Sequence, residues 1–525
     1  MTSRARIGRP CVPSTVTRND QTGYDSVKDE RRLRRTNQAG PATSEDRGIG
    51  SFLIPDNLVN WGWVLAYSAV LTSISVLRFH LWIADGFDLG KYEQGLWQIF
   101  HGGLLARSTY LGSPILGWAA SWILVFLSPL YIWGGVGLIF ALQSAALGSG
   151  YWFIRRISVY VGLDGARTHL LGLVYLIFPT ILGTNLFDFH PEVLAVPFLF
   201  LAILSALEEK QMVFLIGVLG AALTSEIALV AIIGLAATMA WQKRPRFAAF
   251  ALTVFVAVSV IDTGLVPQLF GPSATLWQVT YGSVIGSTPA LAAIALLRHP
   301  ELLIDWVRTL RPWEYLVWLA APLAGFLLLS WPKPLNAWWL APLLIAETNM
   351  ISLQPTLSSP FDQYSVLMVP FLFTGVAASL AATRRTVWRP GIVLVTPLAC
   401  LLVFAWQQHR TYWRLFPQNV TTLQQVETLI PPGAPVATQN FIAAHFANRP
   451  QEWVLSEGVG VTWPKGTYLI LDPASSTGTT SRALLAAVFK RIKAPGQAAV
   501  IFDQDGVMVY RLLEPMGPIS QRAGR

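Results

Sequence analysis

The stretch FDLGKYEQGLWQIFHGG at 87–103 places Asp88, Glu93 and His101 in a chain where most segments carry no charge. A second polar group, FDFHPE at 187–192, brings Asp188, His190 and Glu192. Glu226 stands alone in LTSEIAL, and Arg107 follows the first stretch. A carboxylate within hydrogen-bond reach of a hydroxyl can take its proton as that hydroxyl attacks. Arg, Lys, His or a divalent ion can offset negative charge that develops on an oxygen. Such a set favours Mg²⁺ or Mn²⁺, which take oxygen ligands, over a thiolate zinc site. The two cysteines, Cys11 and Cys400, fall in separate regions and suggest neither a disulfide nor a metal motif.

Each residue also has a purely structural account. Asp88 can cap a helix that starts at Leu89. His190 can serve the end of the next helix, and Asp188 and Glu192 suit a helix N-terminus. Glu93 and His101 read as solvated face residues. Leu89, Tyr92, Leu96 and Ile99 form one stripe of a helix over 89–101, which suits an anchor lying on a membrane surface.

The elements that must position these residues are membrane helices. Of 525 residues, 53% are hydrophobic and 13% charged, against about 25% charged in a soluble domain. Mean hydropathy is +0.48. The net charge of +9 does not point to nucleic acid, because Lys and Arg concentrate in the N-terminal tail and in short loops beside apolar runs. Residues 1–55 read as a disordered cytoplasmic tail with RRLRR at 31–35, and no apolar stretch marks a cleaved signal peptide.

Apolar runs at 58–79, 134–154, 168–187, 191–207, 211–224, 226–241, 247–266, 313–331, 335–353, 364–382 and 391–408 give about eleven spans. Arg155, Arg156, Arg167, Lys210, Lys243, Arg244, Arg246, Lys333, Arg384, Arg385 and Arg389 all fall on the cytoplasmic side if 113–131 lies along the outer face without crossing. The alternative, in which 113–131 crosses, puts most of these cations outside. The expected architecture is therefore a mainly α, polytopic bundle in the cytoplasmic membrane over 56–408. Its outer loop, 80–133, carries juxtamembrane helices. Within 409–515, YLILD, AAVIF and VMVYRLL read as strands, and 421–430 and 481–493 as helices, of a small extracytoplasmic α/β domain. Residues 516–525 read as a disordered tail. On this topology Asp85, Asp88, Glu93, His101, Asp188, His190, Glu192, the Glu226 tip, Glu347 and Asp362 fall on the outer side, and one shared outward-facing cavity accounts for this costly charge near membrane depth.

FDLGKYEQGLWQIFHGG, DFHPEVLAVPFLFLAI, YGSVIGSTPALAAIALLRHPELL, QYSVLMVPFLF and IPPGAPVATQNFIAAHFANR, in this order, resemble a bacterial family of predicted multispanning membrane proteins. That family carries a domain of unknown function and is related to the type C glycosyltransferases. The resemblance runs from about 58 to 515. It implies a catalytic Asp in the first outer loop, flanked by juxtamembrane helices, and a sugar donor carried on polyprenyl phosphate. Asp88 takes the place of that Asp. Asp188, His190, Glu192, Glu226, Arg107 and His101 become candidates for holding the substrate or an ion.

Three positions that the family often charges differ here. An Asp-His-Phe-Ser-Pro element is reduced to Ser113-Pro114. A Lys-Glu-Asp element becomes Ser225-Glu226-Ile227, and a His before Tyr-Ser becomes Gln363. Transfer of a sugar at the outer face, with inversion, is the leading expectation. A lipid or solute transporter, or a non-catalytic partner that binds a lipid-linked glycan, are the competing readings. The absence of paired repeats and the one-sided polar groups count against the transporter.

Overall fold

The computed structural model describes residues 58–518 except 164, 271–293, 295–296, 300, 302–311, 332, 334, 351–356, 384–389, 415–418, 457–460 and 476–479. The Arg-rich tail, residues 519–525 and most of 281–303 therefore lie outside the described residues. Helix α1 spans Leu58–His80 and α2 spans Lys91–Gly102. Helix α3 covers Ile123–Tyr160, followed by α4 over Gly165–Leu176, α5 over Pro179–Leu186 and α6 over Ala195–Leu207. Helix α7 is Val369–Thr383.

Among the described residues five helices are long and apolar enough to cross a membrane: Val59–His80, Ile123–Tyr160, Gly165–Leu186, Pro245–Phe270 and Val366–Thr383. Five further apolar helices are shorter, among them Gln211–Ala222 and Ala228–Trp241, which flank Glu226. The described bundle thus mixes full-length helices with short ones where the sequence reads about eleven spans.

The stretch 113–131 is not one helix. A short turn of helix covers Ile115–Ala119, and the rest begins α3. Gly135 then breaks α3 with φ 60° and ψ −162°, a conformation that L side chains avoid. Residues 123–134 and 136–160 can therefore run in different directions within one continuous apolar segment.

The chain after 419 folds as a five-stranded mixed sheet. Its strands are β1 Val436–Thr438, β2 Glu452–Val454, β3 Tyr468–Leu471, β4 Ala498–Gln504 and β5 Val507–Leu512, in the order β2-β1-β3-β5-β4. Strand β1 runs parallel to β2 and β3, while β5 is antiparallel to β3 and β4. Side chains alternate as a pleat requires. Leu469, Leu471, Tyr510 and Leu512 join the helix Arg482–Ile492 on one face. Ile470, Val507 and Val509 join the helix Val420–Leu429 on the other. Trp82, from just after α1, is part of that second core.

The described residues of Asp56–Arg525 form one compact unit. The stripe of α2 explains part of this. Leu89, Tyr92, Leu96 and Ile99 pack against Ile115, Leu124, Leu127, Tyr131, Phe189 and Ala444. The stripe that reads as a membrane anchor in sequence thus faces the chain's own core. Only Phe100, at the far end, remains exposed among its large apolar side chains near that edge.

Candidate functional site

The site begins with a correction to the cap. Asp85, not Asp88, starts the helical turn of the first loop. The Asp85 carboxylate accepts from the backbone N–H groups of Phe87 at 2.7 Å and Asp88 at 3.2 Å. It closes a π-helical turn over Gly86–Gly90 that runs straight into α2. A third donor arrives from after β1, where the Asn440 amide donates to Asp85 Oδ2 at 2.7 Å. Asn440 Oδ1 also accepts from Phe87 N at 3.0 Å. Burial first, then the charges of Asp88 and Asp188, push the Asp85 carboxyl up to about 7. The hydrogen bonds from Asn440 and Phe87 oppose that rise.

With Asp85 as the cap, the Asp88 side chain is released for other partners. Its Oδ1 meets His190 Nε2 at 3.3 Å. The carboxylate keeps 25% of its side-chain surface open, while His190 has 1%. Burial alone would raise the Asp88 carboxyl, but the hydrogen bond and charge of His190, then Lys91, hold it below its usual range. Burial likewise disfavours protonated His190, yet Asp88 and Glu192 outweigh it and the imidazole is raised. Each of the two groups thus favours the charged form of the other.

His190 is held from several sides. Its ring stacks on Phe187 at 5.4 Å with 8° between planes, and meets Tyr92 edge-on at 5.9 Å. Its backbone N–H donates to Gln143 Oε1 at 3.0 Å, and Gln143 Nε2 donates to the Asp188 carbonyl at 2.7 Å. Gln143 sits in the middle of α3 and so fixes the FDFHPE turn to the bundle. Asp188 adopts φ 60°, a value that Asp tolerates better than most side chains. Its carboxylate pairs with Arg78 Nη1 at 3.3 Å and accepts from the Asp85 N–H at 2.7 Å. Arg78 also donates to the Leu186 carbonyl. Burial raises the Asp188 carboxyl even so. Removing one partner of a buried pair like this costs about 3–5 kcal/mol.

Lys91 completes the charge set. It is buried, its ammonium lying 4.1 Å from the Trp118 ring centre and 4.5 Å from that of Tyr92. Burial lowers it, while Asp88, Glu192 and Asp85 act in the opposite direction. No hydrogen bond to its ammonium occurs among the described residues. Glu192, in the first turn after Pro191, is buried with Oε2 unbonded. Asp362 joins from the loop before α7. Burial pushes it to about 7, and the charges of His190 and Asp88 reach it.

A cavity of about 280 Å³ opens beside these groups, lined by Arg78, Asp85, Asp188, Asp362, Phe187 and Phe361, among others. No group of three His, Cys, Asp or Glu side chains has metal-site spacing among the described residues.

The structure thus brings Asp88, Asp188, His190 and Glu192 into one cluster. Glu226 sits half-buried in the turn between two short helices. Arg107 is exposed and forms an isolated backbone bridge with Pro114. His101 is exposed at the far end of α2, where it stacks on Trp97 and bonds its carbonyl at 2.9 Å. Glu93, expected on a solvated face, is buried and accepts from the Tyr131 hydroxyl at 3.2 Å.

Sequence reasoning missed Arg78, Lys91, Gln143 and Asn440 as site residues, and it counted Asp85 and Asp362 among the outer-side carboxylates without giving either a role. Lys91 carried a signal, because Asp85, Asp88 and Lys91 recur every three residues, about one helical turn. Arg78 and Gln143 look like ordinary members of apolar helices, and Asn440 has no local mark at all.

The family model described as "Predicted membrane protein (DUF2079)" matches residues 79–493. No curated protein sequence matches the chain. Two crystal structures of ArnT from Cupriavidus metallidurans are similar in fold. The form bound to undecaprenyl phosphate is 14% identical with a TM-score of 0.51, over 88% of this chain and 99% of that one. The apo form is 13% identical with a TM-score of 0.50, over 86% of this chain and 98% of that one. The fold, mainly helical with a small C-terminal sheet, is of the type C glycosyltransferase kind.

Proposed function

Because the chain belongs to the predicted membrane protein family DUF2079 and has a type C glycosyltransferase fold, we propose that it transfers a sugar from a polyprenyl-phosphate-linked donor. The acceptor is a hydroxyl at the outer face of the cytoplasmic membrane. The observation that carries this reading is Asp88. Among the clustered carboxylates it has one side-chain partner, His190, and keeps an open face. Asp85 and Asp188 are each tied by several bonds. The undecaprenyl phosphate bound to the structurally similar ArnT supports the class of donor.

The chemistry follows from the charges. The acceptor oxygen attacks the anomeric carbon from the face opposite the phosphate. The bond from that carbon to the phosphate oxygen breaks, and configuration inverts. Asp88, ionised at rest, accepts the proton that the hydroxyl loses. The departing polyprenyl phosphate needs fixed positive charge, and Lys91 and protonated His190 supply it from positions already desolvated. Asp85, fixed by its three donors, orients the turn that presents Asp88. Asp188, Arg78 and Gln143 orient His190. A divalent ion such as Mg²⁺ or Mn²⁺ is not needed for this charge balance.

The test is direct. Purified wild type and Asp88→Asn are supplied with labelled polyprenyl-phosphate sugars, and sugar release or transfer is followed. Wild type turns over at least one donor, and the Asn variant loses at least about 10³-fold in rate while still binding undecaprenyl phosphate. No release or transfer with any donor would falsify the enzyme reading and leave a binding partner for a lipid-linked glycan.

A further inference from the structure

Asp88 adjoins two environments of opposite charge. Its charge bears on Lys91 and also on Asp362, which lines the cavity of about 280 Å³. Lys91, the cation suited to phosphate, is absent from that lining. Three carboxylates, those of Asp85, Asp188 and Asp362, face the cavity, with Arg78 as its lining cation. Arg78 is already engaged by Asp188 and by the Leu186 carbonyl. Above about pH 7, where Asp85 and Asp362 are ionised, these carboxylates only accept hydrogen bonds. Phe187 and Phe361 add aromatic wall. The volume, about 280 Å³, lies just below the about 300–1,000 Å³ typical of small-molecule sites.

We propose that this cavity receives the sugar ring of the donor and selects a sugar that carries no acidic group. The ring's hydroxyls donate to the carboxylates, and the phosphate points to Lys91. A uronic-acid sugar brings a fourth carboxylate into this wall and finds no free cation to meet it. The inference rests on the lipid-linked transfer reading, and it adds which charge class of sugar that site accepts.

The experiment uses the full chain in phosphatidylcholine nanodiscs at about pH 8, where Asp85 and Asp362 are ionised, and displacement of labelled undecaprenyl phosphate. The competitors are undecaprenyl phosphate itself, undecaprenyl phosphoglucose and undecaprenyl phosphoglucuronate. The glucose lipid should compete at least about tenfold better than the glucuronate lipid, the size expected for like charges a few ångströms apart at the edge of water. Asp362→Asn should narrow that ratio by about threefold or more, because the acid is then admitted. A wild-type ratio within about twofold overturns the selection, as does a ratio unchanged in Asp362→Asn. If undecaprenyl phosphate is not bound at all, the transfer reading falls and this one with it. If it is bound but the two sugar lipids compete equally, only the sugar selection falls.

Discussion

His445 stacks on Trp82 with ring centres 3.6 Å apart and 13° between planes. Phe79 covers the other side of the imidazole at 4.2 Å, and the Phe79 carbonyl accepts from or faces its Nε2 at 2.9 Å. One side chain of the C-terminal region is thus clamped by two aromatics at the end of the first membrane helix. His445→Ala removes both stacks and the polar contact, and should cost about 2–4 kcal/mol. Thermal unfolding followed by intrinsic fluorescence checks this. An unchanged Tm means that the clamp adds nothing to stability.

Gly86 makes the same joint from the other direction. A Cβ built there lies 2.4 Å from the Asn440 carbonyl oxygen and 2.8 Å from the Ala443 Cβ. Neither neighbour is the far end of a flexible chain. Gly86→Ala should therefore destabilise by about 1–3 kcal/mol and, by moving the Asp85 turn, reduce sugar transfer. Gly62→Ala is the control, since nothing lies within 4 Å of its Cβ. That control should keep the wild-type Tm, and equal Tm values for the two variants would contradict the tight joint.

Acid content gives a pH signature. Burial pushes Glu93 up to about 8, Asp85 to about 7, and Glu452 well above the usual carboxylate range. In the unfolded chain such groups titrate near 4. Between those limits the folded protein holds more protons than the unfolded one, so stability falls as pH rises. Tm should decline from about pH 5.5 to about pH 8.5, and Glu93→Gln should flatten part of that decline. A decline equally steep in the variant would show that Glu93 is not kept protonated.

The Asp88–His190 pair acts oppositely at its two ends. The lowered Asp88 carboxyl keeps its charge until pH falls through that lowered value. The raised His190 imidazole keeps its charge until pH rises through its own raised value. Undecaprenyl phosphate binding should hold across that window and weaken above it as His190 loses its proton. Lys91→Met should weaken binding about tenfold at neutral pH by deleting the other cation. Binding that is insensitive to both changes would place the phosphate elsewhere.

The break at Gly135 makes the sidedness of the preceding helix testable. Trp133, just before it, is 83% exposed. In a chain lacking Cys11 and Cys400, a cysteine at 133 should react with a membrane-impermeant maleimide added from outside. Reaction only from the cytoplasmic side would mean that 113–131 crosses.

Much of this site was legible in sequence because its polar groups interrupt apolar runs. Asp88, Asp188, His190 and Glu192 stand out for that reason, and the strands after 434 stand out through alternation. Charge that falls inside a helix pattern hides. Lys91 and Glu93 look like the wet face of an amphipathic helix, since nothing local reveals that Trp118, Tyr131 and the sheet cover that face. The apolar stripe misleads for the same reason, as a core and a membrane select the same side chains. Asn440 is beyond local reasoning, because its bond to Asp85 joins positions 355 residues apart.

That separation has a consequence for how the protein is made. Translation proceeds at about 5–20 residues per second, so roughly 20–70 s pass between the synthesis of Asp85 and that of Asn440. Throughout that interval the first loop has already left the ribosome without its third donor or the wall behind Gly86. A nascent chain therefore carries an unfinished turn in front of Asp88. The Asp88 carboxylate acquires its final setting only when the last region is made and folded, so the folding of that region, and not that of the first helices, times the completion of the turn.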